Sequence, residues 1–148
     1  MSGSVTLGRL NHVGVATPSI ERAVETYRTL LGAEAVSEPF DLPAQGVRVC
    51  FVDAPNTQIE LIQPLSDASP IAGFLRKNPA GGQHHVCFEV PDIGQAVADL
   101  QAKGATVLAE PRIGAHGTPV IFVHPRDFGG VLVELMETSR EHGREEGH

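Results

Sequence analysis

The sequence predicts an α+β protein built from two tandem βαβββ modules that together form a curved mixed sheet. Three observations predict this fold class: a repeat at fixed spacing, strand-like runs with alternating apolar residues, and one amphipathic helix in each half. The repeat has a spacing of 73 residues, the distance from residue 12 to residue 85. Six identical pairs at this spacing fall within one strand and the start of the helix after it: His12 and His85, Val13 and Val86, Pro18 and Pro91, Ile20 and Ile93, Ala23 and Ala96, Val24 and Val97. The chain is therefore predicted to be a tandem duplication.

Size and composition predict one globular domain over residues 1–148. Of the 148 residues, 41% are hydrophobic and 20% are charged. A net charge of −7 argues against nucleic acid and anionic membranes as partners. No apolar run approaches the roughly 20 residues that span a bilayer, so we expect a cytoplasmic protein. Cys50 and Cys87 lie in apolar runs and are expected to be buried thiols rather than a disulfide.

The first module is expected over about residues 9–66. Its first strand is Leu10–Ala16, and Pro18 suits the first turn of the helix that follows, where its missing N–H is not needed. Gly32 is expected to end that helix. The predicted buried face of the helix and the next two strands are, in order, Ile20, Ala23, Val24, Tyr27, Leu30 and Leu31, then Val47–Val52 and Thr57–Ile62.

The rest of the chain repeats this order after an insertion. The expected elements are a linker helix over about 67–78 and, in a second module over about 82–137, the strand His85–Val90, a helix between Asp92 and Gly104, and the strands Val120–Val123 and Val131–Leu135. A polar tail is expected at 139–148. Because one βαβββ unit cannot cover the apolar face of its own sheet, we expect two units to pair and leave a concave face for a ligand.

Two histidines and two glutamates occupy equivalent places in the duplication. His12 and His85 lie on matching strands, and Glu60 and Glu134 each lie between two large apolar residues. Strand alternation places each glutamate on the face opposite those neighbours, where a lone buried carboxylate would be costly. Two nitrogen and two oxygen donors suit a divalent first-row metal. The sequence therefore predicts a metal site with the ligands His12, Glu60, His85 and Glu134 in the concavity.

Three other histidines are weaker candidates. His84 aligns with Asn11 in the repeat, and alternation sends it to the face opposite His85. His124 lies in a predicted turn and is interpreted as structural. His116, in Gly114-Ala115-His116-Gly117, lies in a loop that could reach a substrate.

The duplicated pattern with these four ligand-type residues resembles the vicinal oxygen chelate (glyoxalase/bleomycin resistance/dioxygenase) superfamily. Within it, residues 9 to 137 resemble the methylmalonyl-CoA epimerase family. The segments that carry the finer resemblance are Gln45–Val49, Thr57–Leu65, Ser69–Leu75, His84–Val90, Gly114–Gly117, His124–Arg126 and Gly130–Leu135. The metal ligand set is shared with glyoxalase I, so the Ser69–Leu75 helix and the stretch from His116 to Glu134 discriminate better.

The resemblance implies epimerisation at C2 of methylmalonyl-CoA by proton abstraction through a metal-stabilised enolate. It implies Glu134 and Glu60 as the catalytic acid–base pair. Some relatives have a further glutamate on the strand that here contains Val47–Val49, and this chain has none, so the identity of the second base stays open. The implied cofactor is a divalent metal ion, Co²⁺ first, with Mn²⁺, Ni²⁺, Zn²⁺ or Fe²⁺ as alternatives. The implied partners are an acyl-CoA substrate and a second copy of the chain in a homodimer.

Two other functions remain open at this point. A glyoxalase I-like isomerase would use the same four ligands on a glutathione-type hemithioacetal. A non-catalytic resistance protein of the superfamily would bind a small molecule, although such proteins lack a full ligand set. A ring-cleaving dioxygenase fits less well, because it uses two histidines and one carboxylate and usually has a longer chain.

Overall fold

A computed structural model describes residues 5–138 of the chain. These residues divide into two compact units, one of residues 12–84 and one that joins residues 5–11 to residues 85–138. The predicted polar tail at 139–148 lies outside the described residues.

The 12–84 unit contains one complete βαβββ arrangement followed by a short helix. Its elements are β1 (Leu10–Ala16, which begins two residues before the unit), α1 (Ile20–Leu31), β2 (Phe40–Leu42), β3 (Val47–Asp53), β4 (Gln58–Pro64) and α2 (Ala72–Lys77). The strand order is β2-β3-β4-β1. β1 runs parallel to β4, whereas the β2–β3 and β3–β4 pairs are antiparallel, so the sheet is mixed.

α1 begins and ends where the sequence predicts. The Ser19 side chain caps its first turn by accepting a hydrogen bond from the Arg22 N–H, and Gly32 ends it in the left-handed conformation at φ 67°. The helix packs on an apolar cluster that includes Ile20, Val24, Tyr27 and Leu61. The predicted burial of Leu30 and Leu31 is wrong: they are 74% and 75% exposed, because the apolar cluster beneath α1 includes no helix residue beyond Tyr27.

The second unit repeats the arrangement. Its elements are β5 (Gly82–Val90), α3 (Ile93–Ala102), β6 (Arg112–Ile113), β7 (Pro119–Val123) and β8 (Val133–Glu137), in the strand order β5-β8-β7-β6. Again the first strand runs parallel to the last, here β5 to β8, and the other pairs are antiparallel. Asp92 caps α3 by accepting from the Gln95 N–H. The core under α3 includes Val90, Ile93 and Leu135. The predicted α+β class with tandem βαβββ modules is confirmed.

A pair of glycines extends the duplication before each first strand. Gly8 donates its N–H to the Glu89 carbonyl at 2.7 Å, and a Cβ at this position would overlap that carbonyl. Gly81, which lies 73 residues later, would overlap the Ala16 carbonyl in the same way. Ala16 and Glu89 are themselves 73 residues apart. In each unit, therefore, a glycine allows a close backbone approach that a Cβ would block.

Element boundaries differ from the predicted ones mainly at sheet edges. β2 and β6 are absent from the prediction, and β8 begins at Val133 rather than Val131 because Gly129 and Gly130, both at positive φ, hold the chain in a turn. Among residues 5–138, no helix is long and apolar enough to span a membrane.

Candidate active site

In the 12–84 unit, His12 and Glu60 lie on the sheet face opposite α1. Ile59 and Leu61 belong to the cluster under α1, so strand alternation directs Glu60 to the other face. Glu60 pairs in register with Gly14, which lies one alternation step along β1 from His12. As a result, His12 Nε2 lies 3.6 Å from Glu60 Oε1, with both residues at least nine-tenths buried.

The 85–138 unit brings His85 and Glu134 together in the same manner. Val133 and Leu135 pack under α3, so Glu134 lies on the opposite face. Its register partner on β5 is Cys87, one alternation step from His85. His85 Nε2 lies 3.0 Å from Glu134 Oε1, and both residues are more than nine-tenths buried. Each unit therefore contains one predicted nitrogen donor and one predicted oxygen donor in close proximity.

An aromatic ring flanks the glutamate in both units. Phe51 on β3 pairs in register with Glu60, and Phe122 on β7 pairs with Glu134. The ring of Phe122 also makes an edge-on contact with the imidazole of His85, with 5.5 Å between ring centroids. Such contacts restrict the orientation of the imidazole and reduce the polarity around the carboxylate.

The donors of each pair fit a divalent cation. A carboxylate held in a buried, apolar setting is costly unless a cation or several hydrogen-bond donors compensate its charge. An imidazole can be either a proton donor to that carboxylate or, in the neutral form, a metal ligand beside it. The pairs thus provide the nitrogen and oxygen donors that first-row metals prefer.

The remaining predicted histidines have other surroundings. His84 is directed away from His85 along β5, and its ring makes an edge contact with Phe74 of α2 at 5.3 Å. His124 Nδ1 accepts a hydrogen bond of 3.1 Å from the Arg126 N–H, at the start of a short 3₁₀ helix, which fits its structural interpretation. His116 is half-buried in the turn after β6.

Both cysteines are buried, as predicted, and neither forms a disulfide. Cys50 packs under α1, and its Sγ donates to the Ser37 carbonyl at 3.3 Å. Burial raises the pKa of the Cys50 thiol, and a hydrogen bond with the Ser37 side chain partly opposes this shift. Cys87, in contrast, lies on the same face of its sheet as Glu134.

A third buried glutamate, Glu89, was not predicted from the sequence. It is 2% exposed, and its Oε2 accepts hydrogen bonds of 2.8 Å from both Arg9 Nε and Asn11 Nδ2. Glu89 lies two alternation steps from His85 on β5, so the spacing of residues 85, 87 and 89 was the available signal. Its hydrogen bonds fix the segment that leads directly into His12.

An open groove of about 750 Å³ in the 12–84 unit lies apart from the His12–Glu60 pair. Val15 and Leu61 line it together with Arg22 and Tyr27 of α1. Since Val15 and Leu61 face α1, this groove is on the helix side of the sheet, whereas Glu60 faces the other side. The groove therefore does not contain the predicted ligands.

One family model covers most of the chain. The glyoxalase/bleomycin resistance protein/dioxygenase superfamily model matches residues 11–122, which include His12, Glu60 and His85. The chain belongs to this superfamily. Five relatives that are 48–60% identical to the chain have methylmalonyl-CoA epimerase in their names.

The ethylmalonyl-CoA/methylmalonyl-CoA epimerase of Cereibacter sphaeroides is 59% identical over 133 residues, which are 88% of this chain and 98% of that protein. The crystal structure of methylmalonyl-CoA epimerase from Mycobacterium tuberculosis matches with a TM-score of 0.84 at 31% identity, over 97% of both chains. A variant of the Streptomyces coelicolor methylmalonyl-CoA epimerase in complex with 2-nitronate-propionyl-CoA matches with a TM-score of 0.81 at 34% identity, over 90% of this chain and 99% of that one. The predicted superfamily, fold and enzyme class, an isomerase, are confirmed.

Proposed function

We propose that this protein is a metal-dependent epimerase that inverts C2 of methylmalonyl-CoA. The observation that carries the proposal is the buried His–Glu pair that both units present on the sheet face opposite their helix. The 59% identity with an epimerase named for ethylmalonyl-CoA and methylmalonyl-CoA supports the substrate class. Ethylmalonyl-CoA and methylmalonyl-CoA are both malonyl thioesters with a short alkyl branch.

His12, Glu60, His85 and Glu134 are the proposed metal ligands. Imidazole and carboxylate donors suit Co²⁺, the ion we propose, and also suit Mn²⁺, Ni²⁺, Zn²⁺ and Fe²⁺. When bound, the ion supplies Lewis acidity that stabilises negative charge on the thioester oxygen as the C2 proton leaves. For this role both histidines would be neutral and each glutamate would offer an unprotonated carboxyl oxygen, since the ion needs a free lone pair on each ligand atom.

Glu134 and Glu60 are the proposed acid–base pair. Inversion requires that a proton leaves one face of C2 and that a proton arrives at the other. In one direction Glu134 begins ionised and a carboxylate oxygen takes the C2 proton, while Glu60 begins protonated on one oxygen and delivers that proton to the opposite face of C2. In the reverse direction their roles exchange. Phe51 and Phe122, which flank the two glutamates, lower the polarity around them and thereby make proton transfer to carbon easier.

The same donors would also serve a glyoxalase I-like isomerase. Both reactions move a proton at a carbon next to a carbonyl, so the ligand set alone does not separate them. The Cereibacter epimerase is 59% identical to this chain over 98% of its own length, and this similarity favours the malonyl thioester over the hemithioacetal as substrate. A non-catalytic binding protein would have no need for a buried pair of ligand-type residues in each unit.

Proton–deuterium exchange at C2 of methylmalonyl-CoA in heavy water tests the proposal. The assay compares metal-free protein, protein reconstituted with Co²⁺, and a Glu134→Gln variant, each with methylmalonyl-CoA and with ethylmalonyl-CoA. Glu137→Gln is the matched control, because Glu137 lies on the same strand and Gln63 performs its structural role in the first module. We expect metal-dependent exchange with inversion that Glu134→Gln abolishes and Glu137→Gln retains.

The absence of exchange with every metal and both thioesters would overturn the epimerase proposal. Isomerisation of a glutathione hemithioacetal would then identify the glyoxalase I-like alternative. Retention of exchange in Glu134→Gln would remove Glu134 from the acid–base pair. The homodimer and the cytoplasmic location stay predictions, as does the interpretation of residues 1–148 as a single domain.

A further inference from the structure

The proposed ligand pair of the 85–138 unit has a thiol beside it. We propose that Cys87 is a sulfur ligand that this site offers to thiophilic divalent ions, so that Cys87 adjusts metal selectivity towards them. The inference rests on the proposed metal site, and Cys87 is not one of the four ligands proposed above.

The register of β5 and β8 places Cys87 directly opposite Glu134. Cys87 Sγ and a Glu134 carboxylate oxygen lie within 4.8 Å of each other, a separation that two ligands of one ion can have. His85 Nε2 lies 3.0 Å from the same carboxylate. Three side chains with nitrogen, sulfur and oxygen donors therefore share one small area of the sheet face.

Cys87 is fully enclosed, with both apolar side chains and a carboxylate near its thiol, and its Sγ donates to the Phe88 carbonyl at 3.9 Å. The residue is 0% exposed and packs with Val120 and Met136. Access of bulky oxidants or alkylating reagents to the thiol is correspondingly restricted, whereas the Glu134 carboxylate, a proposed metal ligand, lies within 4.8 Å of Sγ. This arrangement favours metal ligation over surface thiol chemistry.

The two modules differ at this point. The residue that pairs with Glu60 in the first module is Gly14, which contributes no side chain. Sulfur is therefore available from the second module alone. The other cysteine, Cys50, packs on the opposite, α1-facing side of its sheet, away from His12 and Glu60.

The chemistry follows from ligand softness. Thiolate donors favour thiophilic ions such as Zn²⁺, whereas Mn²⁺ favours oxygen donors. Ligation breaks the S–H bond, forms an S–metal bond and releases one proton to the buffer. Cd²⁺ is a useful thiophilic probe, because its bond to a thiolate produces an ultraviolet charge-transfer absorption that nitrogen and oxygen ligands do not produce.

Titrations of the metal-free full chain with Cd²⁺ and with Mn²⁺ test the inference. Wild-type protein, Cys87→Ala, Cys87→Ser and the matched control Cys50→Ala are compared by calorimetry and by ultraviolet absorption. We expect the charge-transfer band in wild-type protein and in Cys50→Ala, and its loss in both Cys87 variants. Cd²⁺ affinity should fall at least about tenfold in the Cys87 variants while Mn²⁺ affinity changes little.

The outcomes separate this inference from the proposed function. If wild-type protein binds Mn²⁺ and Cd²⁺ without a charge-transfer band, Cys87 is not a ligand, although the metal site stands. If neither ion binds, the metal site and this inference both fail. A band that persists in the Cys87 variants and disappears in Cys50→Ala would make Cys50 the sulfur ligand and would overturn the inference. Because the wild-type spectrum is decisive by itself, poor folding of one variant does not remove the test.

Discussion

Gln63 Oε1 accepts a hydrogen bond of 2.9 Å from the backbone N–H of Ile20, the first residue of α1. The second unit has the equivalent contact, in which Glu137 Oε1 accepts from the Ile93 N–H at 3.0 Å. Each acceptor lies three residues after the proposed ligand glutamate on the same strand, and each donor begins the helix that follows the histidine strand. One side chain thus ties the glutamate strand to the end of the histidine strand. This contact supports the parallel pairing that brings His12 to Glu60 and His85 to Glu134.

Removal of the Glu137 contact should destabilise the protein. Glu137→Ala leaves the first N–H of α3 without this acceptor, which should lower the free energy of unfolding by about 1 kcal/mol. Glu137→Gln should be nearly neutral, because Gln63 makes the same contact in the first module. Urea unfolding of both variants measures the difference. An equal loss in the two variants would indicate that the charge of Glu137, rather than its hydrogen bond, stabilises α3.

The glycine approach at Gly81 should be costly to alter. Gly81 has φ +93°, and an added Cβ would overlap the Ala16 carbonyl. Gly104 is the matched control, since it also has a positive φ, +85°, but an added Cβ would have no neighbour within 4 Å. Gly104→Ala should cost about 1 kcal/mol from backbone strain, and Gly81→Ala clearly more. Thermal and urea unfolding of the two variants provide the comparison. Equal losses would show that the close approach relaxes at no cost.

The predictable part of the fold is the part that the duplication repeats. His12 and Glu60 could be selected from the sequence because His85 and Glu134 repeat them, and alternation then gave their faces correctly. Glu89 could not be selected in this way, because its equivalent in the first module is Ala16. Its role depends on Arg9 and Asn11, which are 80 and 78 residues away along the chain.

The edge strands β2 and β6 could not be predicted from the sequence for a different reason. β2 has three residues and β6 has two, too few for apolar alternation to be recognised. They are strands because β3 and β7 offer unpaired backbone groups at their edges. The exposed Leu30 and Leu31 follow the same logic, since helical periodicity predicts a face without telling how far the underlying core extends.

The Glu89 network should support both stability and the proposed metal site. Glu89→Gln replaces the charged acceptor of two hydrogen bonds, and bonds to charged groups contribute about 1.5–3 kcal/mol each. Arg9→Gln should cost less, because the Arg9 side chain is 41% exposed. Since Asn11 directly precedes His12, Glu89→Gln should also weaken Co²⁺ binding, which calorimetry measures. Unchanged Co²⁺ affinity would restrict Glu89 to a stabilising role.

Cys50 should make stability decrease at alkaline pH. Burial raises the pKa of this thiol above its ordinary value of 9.0. Below pH 9.0 the Cys50 thiol is protonated in both the folded and the unfolded chain, so its contribution to the free energy of unfolding is fully present. As the pH rises past 9.0, the unfolded chain loses the proton first, and the free energy of unfolding therefore falls. Urea unfolding at pH 8 and about pH 10 should show a smaller fall in Cys50→Ala than in wild-type protein. Equal falls would contradict the shift.

Metal removal should lower thermal stability through the histidines proposed as ligands. An ion that binds only the folded state stabilises it by about 2.7 kcal/mol at a free concentration 100 times its dissociation constant. We expect a chelator to lower the melting temperature of wild-type protein, and Co²⁺ to restore it. His12→Ala and His85→Ala should each abolish most of this difference, because each removes one nitrogen ligand. His84→Ala is the matched control, since His84 directly precedes the proposed ligand His85 but packs its ring on Phe74. A Co²⁺ response that survives in His12→Ala and His85→Ala, or disappears in His84→Ala, would require a different ligand set.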